Sequence, residues 1–284
     1  MRSSNPVFAR NDTFNGRTTY PGAGPTTGYG DPSTWSVGSP GTPGQQAPAQ
    51  VSGERITIDT VVQKTSMTLG LLVASAAVTW ILIGDVAGTS AEAQENLSRA
   101  TTLLIGGALI GFVLAMVNSF KRVVSPALVM AYAVVQGVAV GAISKVFETF
   151  YDGVVLGAVL GTMAAFGGTL AAYKILNISV TPKFRRGVVA AMFAFVGVAM
   201  LDFVLSFFGA EFGFNGFGTL GLIMSVVGVV LGVLMLILDF DFIEKAIAAG
   251  APERESWRAA FGLTVTIVWL YIEMLRILAI LRGD

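Results

Sequence analysis

Cysteine and histidine are both absent from the 284 residues. Without cysteine there are no disulfides, thiolate metal sites or thiol catalysis. Without histidine, Ser-His-Asp chemistry, HExxH metal sites and imidazole pH sensing are excluded as well. Charge is scarce: 13% of residues are charged, about half of the roughly 25% usual in soluble domains. The 18 basic residues balance 18 acidic ones, so no net field draws the chain to nucleic acid. Any proton or cation chemistry must fall to carboxylates. What the chain has in excess is apolar surface, with 54% hydrophobic residues. A single membrane bundle fits that composition better than two soluble domains.

The composition divides near residue 60. Residues 1–60 hold seven of the ten prolines and nine glycines, with polar runs such as Pro21-Gly-Ala-Gly-Pro-Thr-Thr-Gly-Tyr-Gly-Asp-Pro32. Such a segment buries too little apolar surface to offset its ordering entropy, so it is predicted to be a disordered tail. It has no apolar stretch of the signal-peptide kind. Phe8, Phe14, Tyr20, Tyr29 and Trp35 are its candidate contact points for a partner. Residues 61–284 form the second region.

There the apolar runs are long enough to cross ~30 Å of hydrocarbon, which takes ~20 helical residues. Seven are predicted, at 66–86, 100–120, 125–147, 153–175, 187–209, 217–242 and 259–281. The ~10-residue alternating pattern of a membrane β-barrel is missing. The predicted fold is therefore an all-α, seven-transmembrane-helix bundle behind a polar tail. Basic residues orient it. With the N-terminus inside, Arg55, Lys64, Lys121, Arg122, Lys174, Lys183, Arg185, Arg186, Lys245, Arg254 and Arg258 share the cytoplasmic side. Only Arg99, Lys145 and Arg282 fall on the other, which is rich in acids (Asp85, Glu92, Glu95, Glu148, Asp152, Glu211).

Helices in lipid associate through small residues and polar contacts. Candidate seams are Gly107/Gly111, Gly137/Gly141, Gly153/Gly157/Gly161 and Gly221/Ser225/Gly228/Gly232. They serve either packing within one chain or a dimer contact, and the sequence leaves the oligomeric state open. Pro126 sits at the start of the third span and Pro182 in the basic loop before the fifth, so no broken mid-membrane helix of the transporter type is indicated.

Ionisable groups at membrane depth cost several kcal/mol, so each is a functional candidate. Five stand out: Asp202, Asp239, Asp241, Glu273 and Arg276. Asp202 and Arg276 lie at similar depths, ~24 Å from the cytoplasmic edge. They are predicted to pair, as a neutral staple or as a gate released by protonation, with Glu273 able to bond Arg276 at i,i+3. Arg276 has the alternative of snorkelling to the outer interface. Asp239 and Asp241 close the predicted sixth span on nearly opposite faces, and Asp241 can pair with Lys245 at i,i+4. Asp239 has no local basic partner. It is a candidate proton sensor or a ligand for a hard cation such as Ca²⁺, which prefers oxygen donors.

At these residues the sequence resembles a known family. The runs Leu-Ile-Leu-Asp239-Phe-Asp241-Phe-Ile-Glu, Gly250-Ala-Pro-Glu-Arg-Glu-Ser-Trp257 and Thr266-Ile-Val-Trp-Leu-Tyr-Ile-Glu-Met-Leu-Arg276 resemble the Bax inhibitor-1 (transmembrane Bax inhibitor motif) family. Met1-Arg-Ser-Ser-Asn-Pro-Val-Phe and Ser125-Pro-Ala-Leu-Val-Met-Ala-Tyr-Ala-Val-Val-Gln-Gly137 are similar to its bacterial branch. The resemblance implies a seventh helix at the centre, ringed by six others. It also implies a location in the bacterial cell (inner) membrane and a pH-dependent calcium leak gated by two aspartates. Asp239 matches the sixth-helix aspartate. Leu270 stands at the seventh-helix position and Gln136 where relatives often carry a glutamate, so either Glu273, one turn after Leu270, substitutes for the missing acid together with Asp202, or this branch has a different role.

Two functions follow as expectations. One is a passive, proton-sensitive cation leak with Ca²⁺ as the transported ion and no bound cofactor. The other is a non-conducting regulator whose tail binds a membrane protease or another stress-response partner, as some bacterial relatives do. An enzyme is not expected, since no nucleophile elbow or P-loop occurs. Gly84-Asp85 lacks the intramembrane aspartic-protease context, and the seventh span has no lysine for a retinal Schiff base.

Overall fold

The computed structural model of the chain describes residues 54–206, 208–209 and 212–283. The tail's five aromatic residues and Glu211 lie outside the described residues. Those described form seven α-helices and no strand: α1 Ile58–Ile83, α2 Ala91–Phe120, α3 Pro126–Phe150, α4 Val154–Ile175, α5 Pro182–Ser206, α6 Thr219–Ala248 and α7 Glu255–Gly283. All seven are long and apolar enough to cross a membrane. They match the seven predicted spans in order, and the protein is a multi-pass membrane protein.

The helices outrun the apolar stretches that announced them. α2 begins nine residues before its predicted span, because Ala91-Glu-Ala-Gln-Glu is a strong helix former. Ser90 caps it, its Oγ accepting from the Ala93 N–H at 3.1 Å. At the other end of the sequence, α6 continues seven residues past Asp241 to Ala248. Asp239 and Asp241 therefore lie inside this helix and do not close it. The segment before α1 is folded too. Ile56 N–H donates to the Ala251 carbonyl at 2.9 Å and Glu253 N–H to Glu54 at 2.8 Å, around an antiparallel bridge between Arg55 and Pro252. Residues 54–57, which composition placed in the tail, thus clasp the α6–α7 loop, and Ile56 is buried.

α7 is the central helix. More than half of its apolar window is buried, 56% against 17% for both α2 and α5. One side, with Val268, Tyr271 and Leu275, packs on Leu72 of α1, Ala133 and Val140 of α3, and Val154 and Ala158 of α4. The other, with Ala259, Leu263 and Leu270, packs on Leu236 and Phe240 of α6. The ring is uneven: α2 packs chiefly on α3, and α5 chiefly on α6. α5 still reaches the centre with Phe195, edge-on to Trp269 at 5.4 Å.

Small residues and hydroxyls make these contacts close. A Cβ on Gly137 would strike the Leu72 carbonyl, and one on Gly141 the Ala76 carbonyl, so α3 lies backbone-to-backbone on α1. Gly107 meets Ala139, and Gly157 meets Leu278. These predicted seams are occupied within the chain. Hydroxyl pairs stitch α7 to its neighbours: Thr68 to Thr264 at 3.0 Å and Ser144 to Tyr271 at 2.6 Å. In lipid such bonds are worth about 0.6 kcal/mol each on average.

The two ends of the bundle differ in charge. Arg55, Lys64, Lys121, Arg122, Lys174, Lys183 and Lys245 gather at one end, where Arg258 Nη2 also donates to the Arg122 carbonyl at 2.9 Å. This is called the basic end below. The α1–α2, α3–α4 and α5–α6 connections form the opposite, acidic end.

Candidate functional site

The predicted site residues fall into two clusters, one towards each end of the bundle. The first is built around Asp239. Gly232, Leu236 and Asp239 succeed one another on the face of α6 turned to α7. Gly262 of α7 leaves the space in which the carboxylate sits: a Cβ there would lie 3.3 Å from Asp239 Oδ1. One turn on, Thr266 Oγ1 donates to Asp239 Oδ2 at 2.7 Å. The same hydroxyl lies 3.1 Å from the Gly262 carbonyl, and its single hydrogen serves the shorter contact better. Among the described residues no cation lies within 4.0 Å of Asp239. It is a half-buried carboxylate held to its neighbour by one hydroxyl.

Asp241, two residues on, points elsewhere. It is buried and bonded to Lys245 Nζ at 2.7 Å, the predicted i,i+4 pair. Beside it, Tyr173 of α4 donates its phenolic hydrogen to Glu244 Oε2 at 2.6 Å. Beyond the end of α6, Lys64 donates to Glu253 and lies over the Trp257 ring, 5.5 Å from its centroid. That ammonium holds the Glu253 carboxyl below its ordinary value, by its hydrogen bond first and its charge second.

The second cluster lies towards the acidic end. Glu273 is buried against Gly228, where a Cβ would lie 2.7 Å from its Cδ. Ser225 precedes Gly228 by one turn on α6. Glu273 Oε2, Ser225 Oγ and Arg276 Nε are all buried there without a hydrogen-bond partner among the described residues.

Three predicted pairings change. Glu273 does not reach Asp239. Thr266, the partner of Asp239, precedes Glu273 by seven residues, ~10 Å along the axis of α7. Glu273 moreover faces Gly228, eleven residues from Asp239 on α6. Nor does Arg276 form an ion pair with Glu273 or Asp202. Instead both charges grip the α5–α6 loop. Asp202 accepts from the Phe212 and Asn215 N–H groups, each at 2.9 Å. Arg276 Nη2 donates to the Phe214 and Gly216 carbonyls. A peptide chain offers N–H groups to an anion and carbonyls to a cation, so the loop satisfies both charges without their meeting.

Leu270 is fully buried and fills the groove over Gly232. The position where the resemblance placed a second acid is therefore a packing position. Gln136 faces Gly111 of α2, away from both clusters.

Sequence reasoning missed the roles of Thr266 and Gly262, and it named Ser225 only as a packing residue of the sixth span. The signal was present in Gly262-x-x-x-Thr266, a small residue and a hydroxyl one turn apart, the pattern that admits and then binds a polar side chain between helices.

A family profile described as Bax inhibitor 1 like matches residues 5–283. The chain belongs to that family. No curated protein matches it. The family assignment agrees with the seven-helix membrane bundle and spans both clusters. Among the described residues no group of three or more acids is placed to hold a metal ion.

Proposed function

We propose that this protein is a passive, proton-sensitive cation leak with Ca²⁺ as its transported ion, gated at the Asp239–Thr266 contact. The observation that carries this reading is a membrane-depth carboxylate tied to the central helix by one hydroxyl at 2.7 Å, with no cation beside it among the described residues. Ionised, Asp239 accepts a charge-assisted bond from Thr266, which is about twice as strong as a neutral one. Protonation removes the charge, weakens the tie and changes the field met by a cation at the α6–α7 seam. Asp241 plays a different part, since Lys245 already neutralises it. Asp202 and Arg276 hold the acidic-end loop and do not gate.

The basic end, which carries Lys121, Arg122, Lys183, Arg185 and Arg186, belongs on the cytoplasmic side. On this reading the N-terminus lies on the cytoplasmic side of a bacterial inner membrane, the location that the family resemblance implies. The test is Ca²⁺ flux into liposomes from about pH 6 to about pH 8, a window that strongly perturbed carboxylates reach. Asp239→Asn should flatten the pH dependence. A profile unchanged in that variant refutes the gate.

One observation favours a second reading, a non-conducting regulator whose tail binds a membrane protease or another stress-response partner. Residues 54–57 clasp the loop that leads into α7, so a partner pulling there would act on the central helix. Deleting residues 1–53 separates the two. Flux survives the deletion if the protein is a leak, whereas partner co-purification is lost if it is a regulator.

A further inference from the structure

Between the basic ends of α1, α4 and α6 lies a cavity of about 910 Å³ that the gate does not use. Its lining is graded along the bundle axis. The floor is apolar, with Phe166 and Leu170 of α4, Phe240 of α6 and Leu263 of α7. The Phe166 and Phe240 rings meet edge-on at 5.7 Å. The rim is polar, with Lys174, Asn177 and Ser179 on one side and Lys245 on the other. Lys174 stands one residue before the end of α4 and Lys245 three before the end of α6. Phe166 lies eight residues below Lys174, ~12 Å deeper. The polar groups thus sit at interface depth and the aromatic floor at acyl-chain depth.

At the rim Lys174 and Lys245 balance Asp241 and Glu244, and the positive excess that favours an anion comes from Lys183, Arg185 and Arg186 at the start of α5. Both acids at the rim are engaged: Asp241 by Lys245 at 2.7 Å and Glu244 by the Tyr173 hydroxyl at 2.6 Å. An ammonium has three donors, so Lys245 keeps two beyond the one it gives Asp241. Lys174 is exposed and forms no ion pair among the described residues. The loop above is set, with Ile178 N–H donating to the Tyr173 carbonyl at 3.2 Å. Asn177 takes the left-handed turn at φ 48°, which Asn tolerates. Just past the loop α5 opens with Lys183, Arg185 and Arg186, all exposed.

We propose that this cavity is a binding site for one anionic phospholipid, its acyl chain on the Phe166–Phe240–Leu263 floor and its phosphate between Lys174 and Lys245. Basic pockets between membrane helices recognise anionic headgroups in this way, and the volume lies within the ~300–1,000 Å³ typical of small-ligand sites.

The full chain, reconstituted in nanodiscs of equal phosphatidylglycerol and phosphatidylcholine and then gently delipidated, provides the test. Native mass spectrometry should find one phosphatidylglycerol retained per chain in preference to phosphatidylcholine. Lys174→Gln should cut that preference about fivefold, the worth of one basic residue near a membrane surface. Leu170→Trp, which fills the floor from a partly lipid-exposed position, should abolish retention of both lipids while the helical circular dichroism melt is unchanged. Soluble glycerol 3-phosphate should not displace the lipid, because it has no chain for the floor. Equal retention of the two lipids by the wild type, undiminished retention by Leu170→Trp, or full displacement by glycerol 3-phosphate would each overturn the proposal.

Discussion

The two ends of the bundle hold their charges in different ways. Towards the acidic end, Asp202 and Arg276 grip a loop from both sides through four backbone groups. Towards the basic end, Asp239 hangs from one hydroxyl. The first arrangement loses several bonds at once if it opens, while the second loses one. A bundle built this way is clamped at one end and releasable at the other, which is what a gate on a central helix needs.

Perturbing either end tests this contrast. The largest effect is expected where the resemblance alone would predict a gain. Leu270→Asp restores the second acid but buries it over Gly232, one turn along α7 from the threonine that holds Asp239. It should destabilise by at least about 4 kcal/mol, from the lost leucine and the buried charge together. Unfolding in mixed detergent measures this, and native-like stability with altered flux would show that the position is a working site. Next comes Asp202→Ala, which strands the Phe212 and Asn215 N–H groups. Two bonds to a charged acceptor are worth about 3 kcal/mol, and the loss should appear as a lowered melting temperature with the pH dependence of flux unchanged. If the pH profile moves with it, the clamp and the gate are not separate.

Thr266→Val comes third. It removes the hydroxyl that Asp239 accepts from among the described residues and should shift the midpoint of flux against pH by about one unit, an energy of about 1.4 kcal/mol, leaving stability nearly intact. The smallest effect concerns the clasp at the basic end. Lys64 lowers the pKa of Glu253 below its ordinary value of 4.5, so the pair contributes stability that is fully present above that value. The contribution is lost as pH falls through the lower, folded value. Glu253→Gln should therefore cost at most about 1 kcal/mol at neutral pH, and the gap from wild type should close in acid. A gap that widens in acid would reverse the assigned sign.

How far the sequence revealed this site depends on the range of each interaction. The seven spans were legible because hydrophobic length is a local property, as were the Asp241–Lys245 pair and the seams at Gly137 and Gly141. Helix ends were not, since helix propensity carried α2 and α6 beyond their apolar cores. The Asp202–Arg276 pairing failed for a different reason. Depth placed the two side chains correctly, but depth says nothing of a loop whose own peptide groups compete for both charges. Asp239 was identified and its partner missed, because a threonine in an apolar helix carries no mark until the facing helix is known.

The central claim is that Asp239 changes protonation as the leak changes rate. Difference infrared spectroscopy of wild type against Asp239→Asn, titrated in the same liposomes used for Ca²⁺ flux, tests it directly. The expected result is a protonated-carboxyl band that is lost in Asp239→Asn and whose titration midpoint coincides with that of flux. A flux that responds to pH while this band stays constant would contradict the gate.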